Sequence, residues 1–407
     1  MDRRKFLTAT AGGTGALLLG GCGKKGGNVL KIASSLPRTG SAQGQTDTIV
    51  NGIKMAIEEY GGEIAGMKLQ HQDMDDATAA QGQWDAAKEA DNAREATADK
   101  DVMVFIGPYN SGAAKVSMPL LNEAGLLQIS PAATWPGLTR KVPGEEKSGE
   151  PEIYRKSGKI HFCRVCPTDA IQGPLTAVFL GKELKAKTVY ILDDKELYGA
   201  GIAGLFKKKC ESPDVGIKVL GHQSIIATQA NFKTLMKQIA ELKPDAVYFG
   251  GTTQSGGPQI AIDMKNEPGL KDCPLIVPDG CYEDAFITGA GADTLNGRVY
   301  ATIGGKDPSQ LTGAGAEFVK KYKEKFKKDP EAYAAYGYEA AKVFLEAVKK
   351  VGKKDREELR KAVVETKDFT AGVLGKWGFD ANGDTTLQVL TISKIENGKF
   401  NPVKTQE

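Results

Sequence analysis

Two short stretches hold the residue types best suited to grip an anion. They are Gly107-Pro108-Tyr109-Asn110-Ser111-Gly112-Ala113-Ala114 and Ile129-Ser130-Pro131-Ala132-Ala133-Thr134. Each comes at the end of an apolar run that reads as a strand. In the first, Ser111 and the N–H groups after it open a helix. A helix start presents unpaired N–H groups and the positive end of the dipole, so it receives a carboxylate readily. The Thr134 hydroxyl adds a donor from the second stretch. An ordinary N-cap at Ser111 uses the same residue type, so both readings stand at this level.

Other motifs carry less. Cys163-x-x-Cys166 has the spacing of a thioredoxin-like redox pair. A redox cysteine wants a helix N-terminus to lower its pKa, and this pair lies in the extended run Ile160-His161-Phe162-Cys163-Arg164-Val165-Cys166-Pro167. Along a strand the two side chains point to opposite faces, so ordinary buried cysteines are expected. Gly199-x-Gly201-x-x-Gly204 matches a dinucleotide fingerprint, whose glycine turn must follow its strand at once. Here Asp193 to Tyr198 intervene after Leu192, and small residues easing helix packing are expected instead. Asp380-Ala381-Asn382-Gly383-Asp384 opens like a calcium loop, but Thr391 stands where the closing glutamate belongs. A tight turn is expected there. There is no Gly-x-Ser-x-Gly, no His-Glu-x-x-His and no phosphate-binding loop. No catalytic residue, metal or cofactor is therefore expected.

The elements that must position these residues alternate along the chain. Residues 29–33 and 67–72 read as strands, 49–60 and 84–97 as helices, and 102–106 as a buried strand. A helix follows at 113–122 and a strand at 126–129. Residues 140–159 are polar and charged, a surface excursion. The pattern then restarts, with strands at 160–165, 188–192, 217–220, 246–249, 275–277 and 298–303. Helices read at 173–185, 198–209, 231–242, 315–326, 332–351 and 355–365. Extended segments close the chain at 372–379 and 386–395. Strands alternating with helices imply parallel sheets. So many strands, with a break at 140–159, favour two α/β lobes facing a cleft.

Composition narrows the class further. The chain has 407 residues, with 54 Lys plus Arg and 51 Asp plus Glu. Without residues 1–21, which hold Arg3, Arg4, Lys5 and Asp2, those become 51 and 50. Such a balance offers nothing to nucleic acid. The first 21 residues have a basic head, a short apolar middle and a small-residue end, the make-up of a secretory signal. Arg3-Arg4-Lys5-Phe6-Leu7 resembles a twin-arginine export signal. Leu19-Gly20-Gly21-Cys22 resembles the lipobox of bacterial lipoproteins, which implies lipidation of Cys22. The apolar stretch is short for a membrane span, which needs about 20 residues. Residues 22–28 would be a flexible tether. Five further cysteines remain, Cys163, Cys166, Cys210, Cys273 and Cys281. In an exported protein they are free to pair, and Cys273 with Cys281 offers a local bridge.

An ordered set of motifs resembles the type I periplasmic binding proteins, specifically the branched-chain amino acid (Leu/Ile/Val) receptors of ABC transporters. It runs from Ala33-Ser34-Ser35-Leu36-Pro37-x-Thr39-Gly40 through Asp73-Met74-Asp75-Asp76-Ala77, the two stretches above, and Arg164-x-x-Pro167-Thr168-Asp169-x-x-Gln172-Gly173. It continues through Asp194-x-x-x-Tyr198-Gly199, Tyr248-Phe249-Gly250-Gly251, Pro278-Asp279-Gly280 and Phe379-Asp380-x-x-Gly383-Asp384. The resemblance implies a ligand carboxylate held by Ser111, Ala132 and Thr134. It implies Tyr198 and Asp279 on the second lobe, with Asp279 facing an ammonium group. Leucine receptors carry Trp where Gln43 stands and Tyr where Thr252 stands, so Thr252 and Tyr109 are further contact candidates. Trp135 and Tyr282 either reshape the pocket or pack at its rim.

The expected architecture is an α/β two-lobed clamshell, each lobe a mainly parallel sheet flanked by helices. Residues 29–168 with 302–376 would form the first lobe, and 169–301 with 377–404 the second. The expected function is that of an extracytoplasmic, lipid-tethered receptor. It would capture an amino acid by lobe closure and deliver it to a membrane permease with its ATPase. Alternatives are a receptor for another small carboxylate or amide, an exported redox protein, or a sensor.

Overall fold

The computed structural model describes residues 28–227 and 229–406. The export signal, Cys22 and nearly all of the expected tether lie outside the described residues. Among the described residues no helix is long and apolar enough to cross a membrane.

The first half of the chain winds one sheet. Its strands are β1 (Val29–Leu36), β2 (Glu63–Ile64) and β3 (Met67–Asp75), then β6 (Val102–Ile106), β7 (Leu127–Ser130) and β8 (Phe162–Arg164). The two-residue strands β4 (Ala77–Thr78) and β5 (Gln83–Trp84) pair with each other apart from it. The order is β2-β3-β1-β6-β7-β8, and only the β2–β3 pair is antiparallel. Helices α1 (Gln43–Glu58), α2 (Ala86–Ala98) and α3 (Ser111–Glu123) alternate with these strands. Every residue of β6 is buried, as a strand covered on both faces must be.

The second sheet repeats the scheme. Its strands are β9 (Thr188–Asp193), β10 (Lys218–Ser224), β11 (Ala246–Gly250), β12 (Leu275–Val277), β13 (Val299–Gly304), β14 (Leu390–Glu396) and β15 (Lys399–Gln406). They lie in the order β10-β9-β11-β12-β13-β14-β15, with the last two antiparallel. Helices α4 (Asp169–Lys182), α5 (Leu197–Cys210), α6 (Lys233–Leu242), α7 (Gly257–Asn266), α8 (Asp284–Ala290) and α9 (Ala292–Leu295) accompany it. Helices α10 (Ala314–Phe326), α11 (Ala334–Val351) and α12 (Arg356–Val364) follow β13, and α11 returns to pack on α1. That crossing is close. A Cβ on Gly52 would lie 2.2 Å from the Ala334 carbonyl oxygen, and one on Gly337 2.3 Å from that of Ile49. The chain thus passes between the sheets after β8, after β13 and before β14, which gives the two lobes expected for this fold class.

The C-terminal region departs from expectation. Residues 372–379 form no strand; Phe369 and Trp377 make one isolated bridge, and Phe379 another with Thr385. Trp377 turns inward instead, its indole N–H bonded to buried Glu339 and its ring set edge-on to Phe369 and Phe379. Strand β14 starts at Leu390 rather than 386. Strand β15 was not foreseen because it is an edge strand, studded with Lys399, Asn401 and Lys404, the composition that protects edges. The excursion at 140–159 is exposed over 143–149, yet Glu150 and Tyr154 are buried and anchor it.

Candidate functional site

Each sheet reverses its winding once. In the first sheet the reversal falls between β1 and β6, in the second between β9 and β11. Loops leaving the carboxyl ends of strands diverge at such a point and open a crevice. The loops after β6, β7, β9, β11 and β12 supply Tyr109, Asn110, Ser111, Ala132, Tyr198, Thr252, Asp279 and Gly280 to one cleft. Six of the seven expected ligand residues are therefore brought together. The seventh, Thr134, is buried two residues beyond Ala132. The lobes are closed on this cleft, leaving about 10 Å³, room for about one water. A solute enters only when the lobes part.

The first-lobe wall carries no formal charge. Asn110, not Ser111, occupies the N-cap position of α3, and its side chain makes no capping bond. Ser111 is the first helical residue, and its Oγ accepts the Trp135 N–H at 3.1 Å. The Ala132 N–H, expected to meet a ligand, is directed at Ser130 Oγ at 3.2 Å. The Tyr109 hydroxyl and Asn110 Oδ1 are buried with no partner among the described residues, while the Thr134 hydroxyl lies beside the Asp169 carboxyl and helps to hold it. A buried polar atom left unpaired costs about 1–3 kcal/mol, so two such atoms beside one cleft mark a surface built for something polar.

The loop bearing Thr134 is fixed from behind. Arg164 is fully buried, and its guanidinium donates to the carbonyls of Ala133 and Trp135, both at 2.8 Å. Its Nε meets Asp384 at 2.7 Å, and Arg140 joins the same carboxylate. Burial pushes Asp384 up, but the two arginines outweigh it and hold the carboxyl below its usual range.

The second-lobe wall is acidic. Asp279 Oδ1 accepts from Tyr198 at 2.7 Å and from Gln172. Its Oδ2 accepts from Tyr333 at 2.6 Å. All three donors are neutral, and among the described residues no Lys or Arg lies in ion-pair range. Burial raises the Asp279 carboxyl above its usual range, and the bonds from Tyr333, Tyr198 and Gln172 offset this only in part. Asp169, first residue of α4, is buried beside the Thr134 hydroxyl and forms no ion pair among the described residues. Burial, then the nearby Asp279, pushes it well up, and the Thr134 hydroxyl and the charge of Arg164 offset this only in part. Asp279 thus faces the cleft with no cation in ion-pair range among the described residues, and Asp169 lies behind it, close enough to feel its charge.

Gln172 and Asp169 were visible in the sequence as parts of a motif but had no assigned role. Tyr333 carried no signal. It reaches Asp279 only because α11 packs on α1, where Gln45 takes the Tyr333 N–H at 3.2 Å and donates to the Tyr282 carbonyl, also at 3.2 Å.

Two pocket candidates belong elsewhere. The Trp135 indole N–H donates to Glu150 at 3.0 Å, and its ring lies against Gly201, where a Cβ would sit 2.4 Å away. Tyr282 bonds Asp307 and Ser393 and stacks on Phe400. The glycine motif at 199–204 is a packing feature, as expected. All five described cysteines are free, so the Cys273–Cys281 bridge is absent. Cys163 and Cys166 are fully buried, and burial pushes both thiols far up, the reverse of redox activation. Asp380 and Asp384 are engaged by arginine, which leaves no calcium loop.

Two parallel-sheet lobes closing on a polar cleft define a clamshell solute-binding protein. The chain belongs to the periplasmic binding protein family, whose profile matches residues 29–399. It is 29% identical to a Leu/Ile/Val-binding protein homolog of Brucella abortus, over 92% of this chain and 93% of that one. Among solved structures it resembles the leucine-binding protein LivK of Thermotoga maritima, with a TM-score of 0.79 and 26% identity, covering 93% of this chain and 98% of that one. A solute-binding protein of Rhodopseudomonas palustris in complex with benzoate shares the fold, with a TM-score of 0.74 and 20% identity, covering 93% and 96%.

Proposed function

We propose that this chain is the solute receptor of an ABC importer and that its solute is an amino acid. The observation that carries the reading is Asp279, buried at the cleft floor among neutral donors only, opposite an uncharged wall on which the Tyr109 hydroxyl and Asn110 Oδ1 have no partner among the described residues. An amino acid supplies the missing charges in matching places. Its ammonium meets Asp279, beside Tyr198. Its carboxylate lies against Ser111, Thr134 and the turn at Ala132, at the uncapped start of α3. Tyr109 and Thr252 flank it. The names of the relatives, Leu/Ile/Val-binding and leucine-binding, support the same class.

Closure follows from dividing the ligand's charges between the lobes. The first lobe, residues 29–168 with 302–376, holds the carboxylate in the open form. The second, residues 169–301 with 377–404, then brings Asp279 and Tyr198 onto the ammonium. Expelling water strengthens these charge pairs, and closure is stabilised only by contacts that differ between open and closed states. The permease reads the closed shape, and no bond is made or broken. Residues 1–21 serve as the export signal, and lipid on Cys22 tethers the receptor near its permease.

The benzoate complex supports a second reading, an aromatic carboxylate. Such a ligand has no ammonium and leaves Asp279 and Asp169 without a cation. Thermal shifts against all amino acids and a panel of aromatic and aliphatic acids separate the two. Stabilisation only by acids that lack an ammonium group would overturn the amino-acid reading. Asp279→Ala should weaken amino-acid binding by about 10-fold or more, equivalent to about 1.4 kcal/mol; unchanged affinity would remove the role given to Asp279.

A further inference from the structure

Two glutamates outside the expected site stand at the seam between the lobes. Glu283 follows the Asp279 turn and is 1% exposed. One of its oxygens accepts from Gln254 at 3.2 Å, and the Thr253 hydroxyl lies close enough to favour its charged form, so its neighbours are neutral donors only. Glu331 lies two residues before Tyr333, on the opposite lobe. It accepts the Asp284 N–H at 3.3 Å, and its other oxygen lies 3.3 Å from where a Cβ on Gly44 would sit. Both glutamates line a cavity of about 510 Å³ that takes walls from both lobes. This corner adjoins the cleft: Tyr109, on the cleft wall, is within electrostatic reach of Glu283, Asp279 and Glu331.

No ion pair among the described residues neutralises the two glutamates, and the one base that faces them, Lys328, acts on Glu331 at a distance. Among the described residues neither carboxylate has a Lys or Arg within ion-pair range. Lys323, on the cavity wall, is held by Asp329 at 2.5 Å. The other charges facing Glu331 are Asp284, Asp47 and Lys328, and those facing Glu283 are Glu331 and Asp284. Acidic groups outnumber basic ones around both. An ammonium or guanidinium brings several donors to such a place. Held between Glu283 and Glu331, it would also tie one lobe to the other.

We propose that the solute carries a second, cationic group, as a basic amino acid does, and that Glu283 and Glu331 hold it across the seam. This deepens the amino-acid reading and rests on it. It has a protonic consequence. Burial, together with neighbouring acids, pushes Glu283 up to about 8 and Glu331 up to about 7. An arriving cation favours their ionised forms, so binding releases protons.

The test is titration calorimetry on the full-length exported protein with arginine, lysine, glutamine and leucine. It is run near pH 7.5 in two buffers of different ionisation enthalpy, which reveals proton release. Arginine or lysine should bind about 10-fold or more tightly than leucine, with protons released. Glu283→Gln should erase that preference while leaving glutamine within about twofold, and Glu331→Gln should reduce it. If leucine binds as tightly as the basic amino acids, or the preference survives both substitutions, the cation seat is wrong and the amino-acid receptor stands. If no amino acid binds and an aromatic acid does, both readings fall together. Glu331→Gln guards against a Glu283 variant that fails to fold.

Discussion

The crossover between the lobes and the floor of the cleft each bury aspartate, and they treat it in opposite ways. Asp384 at the crossover is met by Arg164 and Arg140 and sits below the usual carboxylate range. Asp279 at the floor, and Asp169 behind it, form no ion pair among the described residues, and both sit above that range, the charge of Arg164 lowering Asp169 only in part. Burial alone pushes all three upward. The difference is whether the chain supplies the cation. Where it does, the carboxylate is a fastening. Where it does not, the carboxylate is a receptor for charge brought from outside.

The largest effect should come from breaking the fastening. Arg164→Met removes the cation from a buried carboxylate and the donors from the Ala133 and Trp135 carbonyls. Breaking a buried pair from one side costs about 3–5 kcal/mol. The melting temperature should fall sharply, and ligand affinity with it, because the loop bearing Thr134 loses its support. Asp279→Asn is the matching experiment at the floor. It removes a buried negative charge that no cation balances, so the free protein should melt at the same temperature or higher. A fall as large as that of Arg164→Met would erase the distinction between the two regions.

The pH dependence should separate them next. Asp384, with its folded pKa lowered, contributes stability that is present above the unfolded value of about 4 and is lost as pH falls through the lower folded value. Asp169 and Asp279 have raised folded values. Native protein keeps their protons where the unfolded chain has released them, so stability falls as pH rises from about 4 through those higher values. Asp194 and Glu339, each raised by burial to about 7, act in the same direction. Thermal melts of the free protein should therefore decline toward alkaline pH, and Asp169→Asn should flatten that slope. A bound amino acid should flatten it too, because its ammonium favours the ionised floor. An identical slope in wild type and Asp169→Asn would show that Asp169 does not titrate in this range.

How far the sequence reveals this contrast depends on the range of the interaction. Strand–helix alternation is local, so the two parallel sheets were legible from apolar spacing, and the loops after β6 and β7 from their glycine and serine. Asp279 was reached through a motif. Gln172 and Asp169 lay in view without a role, because the same acid reads alike whether an arginine or a tyrosine faces it. Tyr333, 54 residues beyond Asp279, arrives by the packing of α11 on α1, which no periodicity encodes. Residues 372–379 read as a strand because Val373, Trp377 and Phe379 are apolar. They fill an aromatic cluster over Glu339 instead, an instance of tertiary packing overriding local preference.

The smallest effect belongs to the uncharged wall, and it asks whether the cleft is polar by design or by tolerance. Tyr109 places a hydroxyl in the interior with no partner among the described residues, while its ring stands edge-on to Tyr333 at 5.9 Å between centroids. Tyr109→Phe keeps the ring contact and removes the orphaned group. If the hydroxyl is merely tolerated, the free protein should gain up to about 1 kcal/mol and ligand affinity should not move. If the hydroxyl serves the solute, the same stability gain should come with affinity weaker by about 3- to 10-fold. Calorimetry and thermal melts on this one variant distinguish the outcomes, because only the second couples a more stable empty protein to a poorer receptor. That coupling is expected here, since Asp279 across the cleft, hydrogen-bonded but without a cation, makes the same trade: stability of the empty protein is given up for a partner that arrives later.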